Sequence, residues 1–197
     1  MGLPARRVVF EELRERLRST TVPARQERLA SAIPALDRAL GGGFPKGTLT
    51  TLEGPLCSGR WALASRLLAQ ATRRGLAAVL DGGAIYPPGL AAAGVSLARL
   101  LVVPAPEPLT SARAADALLR SRACGLIALD APSLRSAVWT RLAGLAHRSG
   151  ALLLVVTTQA APELASAAHL RLRFEYTMRD ELRLYVRHES VRVACSR

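Results

Sequence analysis

The chain has 197 residues and a mass of 21.0 kDa, enough for one domain with a short appendage. Half of the residues are hydrophobic, which excludes disorder for most of the chain. The three cysteines, Cys57, Cys124 and Cys195, lack the spacing of a disulfide framework or a zinc site. Lys+Arg number 27 against 15 Asp+Glu, a net charge of +12, and every one of the 27 except Lys46 is arginine. Such a surplus points to nucleic acid, an acidic protein face or anionic lipid.

Residues 7–18 are predicted as an amphipathic helix, with Phe10, Leu13 and Leu17 on one stripe and Glu11, Arg14, Glu15 and Arg18 on the other. Residues 20–26, with Pro23 inside, read as a linker, dividing the chain into an N-terminal helix and linker (1–26) and a core (27–197). A short helix then starts at Pro34 and stops at Gly41-Gly42-Gly43. Strands are predicted over 48–53, 76–81, 100–103, 126–130 and 151–157, with helices over 60–73, 111–121 and 133–148 between them. Apolar strands alternating with helices predict an α/β fold, a mostly parallel sheet covered by helices on both faces. From Leu170 the period changes to two: Leu170, Leu172, Phe174 and Tyr176 alternate with Arg171, Arg173 and Glu175. Leu182, Leu184 and Val186 alternate in the same way with Arg183, Tyr185 and Arg187. Antiparallel strands are therefore expected at the C-terminal edge of the sheet. The longest apolar stretch, 151–156, is too short to span a bilayer, and the first residues contain no apolar signal core, so a cytoplasmic protein without membrane contact is expected.

The most informative segment is Gly54-Pro55-Leu56-Cys57-Ser58-Gly59-Arg60-Trp61, between a predicted strand and a predicted helix. Two glycines five apart in that context match the strand–GxxxxGK[ST]–helix layout, whose backbone N–H groups and helix N-terminus hold phosphates. Arg60 stands where that layout has lysine, and Trp61 where it has the Ser/Thr that ligates magnesium. Arginine keeps the charge but brings a larger planar fork, and an indole offers no oxygen to a metal.

Upstream stands Ser31-Ala32-Ile33-Pro34-Ala35-Leu36-Asp37, followed by Leu40-Gly41-Gly42-Gly43-Phe44-Pro45-Lys46-Gly47. This run resembles the lead-in to the core of RecA-superfamily proteins, roughly ST-G-I-P-x-L-D-x-x-L-G-G-G-L-P-x-G, and the resemblance extends over about residues 30–187. It implies that Asp130, at the end of Leu126–Asp130, is the Walker B carboxylate. Gln159 corresponds to the glutamine that senses the terminal phosphate, and Gly83 stands where recombinases carry the glutamate that activates water. With the lysine, the hydroxyl and the glutamate all replaced, the resemblance implies no catalytic residues, no metal and no required cofactor, with residual ATP binding as the open point.

Among RecA-like families the chain is most similar to ImuA, an accessory of damage-induced mutagenesis. That similarity implies RecA and an ImuB-type polymerase-like protein as partners, with DNA and a second copy as further candidates. The second resemblance is to SulA, the division inhibitor that binds FtsZ, and a third reading is a weak RecA-like ATPase. Arg171, Arg173, Arg183 and Arg187 are expected on one polar face, for DNA or an acidic partner, and Phe10, Leu13 and Leu17 as a partner-docking helix. Trp139 is expected in the core, and His147, His169 and His188 are too scattered to bind metal.

Overall fold

The computed structural model describes residues 27–83, 85–130, 133–176, 182–186 and 189–192. Ten short strands lie among the described residues: β1 (Arg28–Leu29), β2 (Phe44–Pro45), β3 (Leu49–Glu53), β4 (Leu76–Asp81), β5 (Leu100–Pro104), β6 (Cys124–Asp130), β7 (Leu152–Thr157), β8 (Leu170–Tyr176), β9 (Leu182–Val186) and β10 (Glu189–Arg192). The helices are α1 (Pro34–Ala39), α2 (Arg60–Arg74), α3 (Pro87–Ala92), α4 (Pro108–Ser121), α5 (Ser136–Ser149) and α6 (Pro162–Ala167), with one 3-10 turn at Leu97–Arg99.

Eight strands form one sheet in the order β10-β9-β8-β3-β7-β6-β4-β5. From β8 to β5 the six neighbours run parallel, and β9 and β10 extend the β8 edge antiparallel. The parallel strands are buried on both faces, which is why their sequences are continuous apolar runs. Alternation assigns each residue to a face. Leu152, Leu154 and Val156 join Leu126, Ala128, Ala77 and Val79 under α2, packed with Leu63, Ala64, Leu67 and Leu68. Leu153 and Val155 join Ile127, Leu129, Ala78 and Leu80 under α4 and α5, with Leu119, Trp139, Leu142 and Leu145. Trp139 is 1% exposed, as expected of a core residue.

The lead-in run is a structural device that closes one side of this core. β1 and β2 pair antiparallel, Leu29 opposite Phe44, and both side chains are buried. Asp37 Oδ1 accepts hydrogen bonds from the backbone N–H and hydroxyl of Ser31, each at 2.8 Å. Arg28 donates to the carbonyls of Leu40 and Gly43 at 2.7 and 3.0 Å. A Cβ on Gly43 would meet the Leu29 carbonyl oxygen at 2.5 Å, so this glycine is required by close backbone approach. Ala32, where the RecA lead-in has glycine, sits at φ 60°.

Several expectations shift. β8 is the sixth parallel strand and only its far edge is antiparallel, because the crossover through α6 returns it alongside β3. α4 begins at Pro108, three residues before the predicted Ser111, since a proline whose missing N–H costs nothing opens the first turn. α5 begins at Ser136 rather than at residue 133, after an extended Arg135. α3 and α6 also lie outside the predicted elements; both are single short turns opened by proline. Residues 1–26, with Phe10, Leu13 and Leu17, lie outside the described residues, as do Arg187 and His188. No helix among the described residues is long and apolar enough to cross a membrane.

Candidate functional site

Parallel strands place their C-terminal ends on one side of the sheet, where open α/β sheets present their ligand-binding loops. Here β3 delivers residues 54–59, β7 delivers Thr157–Gln159, β6 delivers Asp130 and β4 delivers Asp81. The Gly54 N–H lies 3.2 and 3.1 Å from the Thr157 and Thr158 carbonyls, which ties the β3 loop directly to the end of β7. Asp130 is opposite Val156 in register, one strand further along. The loop, Asp130 and Gln159 are thus brought to the same rim by adjacent strands. Asp130 and Gln159 are exposed there, and the Gln159 carbonyl accepts from the Thr157 hydroxyl at 3.0 Å.

Within the loop the backbone is tightly specified. Gly54 is buried, and a Cβ on it would meet the Phe174 Cβ and the Ser58 Oγ at 2.8 Å each. Cys57 and Gly59 adopt left-handed φ values of 61° and 88°, turning the chain into α2. Leu56 at the tip is 74% exposed, whereas Ser58 is fully buried and its hydroxyl has no hydrogen-bond partner among the described residues. Arg60 is 7% exposed and donates from Nη1 to the Gly54 carbonyl at 2.6 Å, across the loop it terminates. Trp61 is half-buried and packs on the core beneath α2. Both residues that depart from the phosphate-loop pattern are therefore built into the protein itself.

On β4, Asp81 Oδ1 accepts from the backbone N–H groups of Gly83 and Ile85 at 2.7 and 3.0 Å, forming a side-chain-capped turn. Gly83 has φ 106° and open space around it, a conformation that disfavours any side chain. Among the described residues no group of His, Cys, Asp and Glu is placed to hold a metal ion.

Sequence reading missed the ion pair beside the loop. Glu53, buried at the end of β3, receives two hydrogen bonds from Arg171 on β8, Nε to Oε1 at 2.8 Å and Nη2 to Oε2 at 3.0 Å. The Thr51 hydroxyl adds a third at 2.8 Å. Burial pushes the Glu53 carboxyl up, but the bonds from Arg171 and Thr51 and the charges of Arg171 and Arg173 outweigh it and hold it below the ordinary value. The available signal was a carboxylate inside a strand otherwise made of Leu and Thr. Of the four expected face arginines, Arg171 is thus committed to Glu53, and Arg173 is exposed beside it. Arg183 lies on β9 opposite Glu175 in backbone register.

A six-stranded parallel sheet with a β3–loop–α2 phosphate-loop layout at its C-terminal rim, preceded by the Ser31–Gly47 lead-in, is the core of a RecA-superfamily protein. The chain belongs to the family described as the MT3502 N-terminal domain, whose model matches residues 39–163. It is 36% identical to RecA of Picosynechococcus sp. over 104 residues, covering 52% of this chain and 30% of that protein. RecA of Nostoc punctiforme is 36% identical over 108 residues, 54% of this chain and 30% of that one. RecA of Prochlorococcus marinus (strain MIT 9211) gives 36% over 108 residues, 54% and 29%. The match spans less than a third of the length of these RecA proteins.

Proposed function

We propose that the chain is a non-catalytic RecA-like accessory protein of DNA-damage-induced mutagenesis, acting in translesion synthesis through contacts with RecA and with an ImuB-type polymerase-like protein. The observation that carries this reading is Arg60. A RecA-type site implies a nucleoside triphosphate with magnesium, and the residues at this loop do not fit that group. The position that should send a compact ammonium to the phosphates instead holds a guanidinium spent on the Gly54 carbonyl. The position that should ligate magnesium holds an indole packed on the core, and Gly83 supplies no base. Losing a positioned general base removes about 10²–10⁴ in rate by itself.

A RecA core with its loop closed on itself retains a rigid scaffold and loses the chemistry that drives a nucleotide cycle. Contact surfaces are then what such a chain has to offer. The RecA relatives support the coarse placement, and the resemblance to ImuA of a small, basic, RecA-like chain with an altered phosphate loop supports the finer one.

The test is co-purification of the full chain with RecA, with an ImuB-type protein and with FtsZ. Retention of RecA or the ImuB-type protein, and not of FtsZ, is expected. Retention of FtsZ alone would replace this reading with the division-inhibitor one.

A further inference from the structure

The end of the sheet opposite the loop carries a second concentration of charge. There α4 and α5 finish side by side, just before β6 and β7 begin, and leave a pocket of about 200 Å³ between them. Its wall is made by Arg120, Arg122, Arg148 and Ser149, over Leu119 and Leu145. Both leucines are almost completely buried, at 1% and 6% exposure, so the surface the pocket offers is guanidinium rather than hydrocarbon. That composition suits a hydrophilic anion and not a carboxylate on an apolar stem.

Asp116 organises the cluster. It receives Arg120 Nε at 2.6 Å on one oxygen and Arg141 Nε at 2.7 Å on the other, fixing two arginines from two helices around one carboxylate. Because both bonds use Nε, the terminal Nη groups of each fork remain available. The side chains of Arg122 and Arg148 form no ion pair among the described residues, and both are exposed. Arginines also gather at helix C-termini simply to answer the dipole, and two such termini meet here. Each is worth only roughly half a negative charge. Three guanidinium groups, of Arg120, Arg122 and Arg148, line the pocket, and set against the Asp116 carboxylate and two such ends they leave a positive surplus of about one charge. Forked N–H donors converging on a pocket of this size match the oxygens of a tetrahedral phosphate.

We propose that this pocket is a phosphate-binding site, separate from the β3 loop and independent of the partner-binding role above. The phosphate comes either from a nucleic-acid backbone or from a small phosphate compound, and the test separates the two. Full-length protein and an Arg122→Gln/Arg148→Gln variant are compared in two assays, fluorescence anisotropy with a labelled single-stranded oligonucleotide and phosphorus NMR line broadening of inorganic phosphate. Equal melting temperatures are expected, since both side chains are exposed and neither forms an ion pair among the described residues.

If the ligand is a nucleic-acid backbone, oligonucleotide affinity drops about tenfold or more and the salt dependence becomes shallower by roughly one to two phosphates in the variant. If it is a small phosphate, the line broadening is lost while oligonucleotide binding is unchanged. The proposal is overturned if wild type binds neither probe, or if the variant binds both as wild type does.

Discussion

Arg60 is a charged side chain held inside the fold rather than presented to solvent. Its charge-assisted hydrogen bond to Gly54 is buried, and such bonds are worth about 1.5–3 kcal/mol. Arg60→Ala should therefore lower stability by about 2 kcal/mol in a denaturant melt, a cost that a solvent-facing arginine would not show. Ala32 gives the opposite sign. At φ 60° its Cβ is strained by about 1 kcal/mol or more, so Ala32→Gly should raise stability by roughly 0.5–1 kcal/mol after the added entropy of the unfolded glycine.

Glu53 adds a pH dependence whose sign follows from its depressed carboxyl. As pH falls, the unfolded chain takes up the proton first. The stabilisation is complete above the ordinary carboxylate range and is lost as pH falls through that range to the lower folded value. Because Arg171 is 42% exposed, solvent screening reduces the pair well below a fully buried one. Glu53→Gln should cost about 1–2 kcal/mol at neutral pH, and the gap to wild type should close in acid; a gap that stays constant down to about pH 3 would show that the pair carries no titrating charge.

Among the elements, the strands of the parallel core were legible because burial on both faces leaves a continuous apolar run that little else produces. β4 was predicted with its observed bounds, and β3 and β7 to within a residue. The short proline-opened turns α3 and α6 were not legible, since six residues give no helical period to read. The parallel pairing of β8 was hidden for a related reason. Alternation reports one buried face, and Arg171, Arg173 and Glu175 lie on the open side of a strand that is nonetheless paired on both edges.

The other edge strand, β5, carries its own protection. The Ala105 N–H donates to the Asp81 carbonyl at 2.8 Å, so by alternation Leu100, Val102 and Pro104 turn their backbone groups outward. Pro104 has no N–H to offer a partner, which blunts an edge that exposes Leu101 at 48%. Pro104→Thr should promote self-association, visible as a rise in sedimentation coefficient with concentration. An unchanged monomer distribution would show that this edge is guarded by something else.

At the scale of the whole molecule, the loop region could be placed from sequence because glycine spacing, strand and helix all agreed with the lead-in run. What sequence could not supply was where the side chains go. The guanidinium of Arg60 turning inward, the Glu53–Arg171 pair across 118 residues and the gathering of Arg120, Arg122 and Arg148 at the ends of α4 and α5 are all products of packing between distant segments. The net charge of +12 is visible in the composition, but that three of its arginines line one pocket at the ends of α4 and α5 is not.

The proposed accessory role requires this RecA-like core to work without a nucleotide cycle. Steady-state ATP hydrolysis by the full chain with magnesium, measured beside an Asp130→Asn variant, tests it most directly. Asparagine keeps the size and hydrogen-bonding capacity of the exposed Asp130, and equal melting temperatures check that the fold is kept. Turnover no higher than buffer is expected of both proteins. Hydrolysis by the wild-type chain that disappears in Asp130→Asn would contradict it and make this loop the site of an active ATPase.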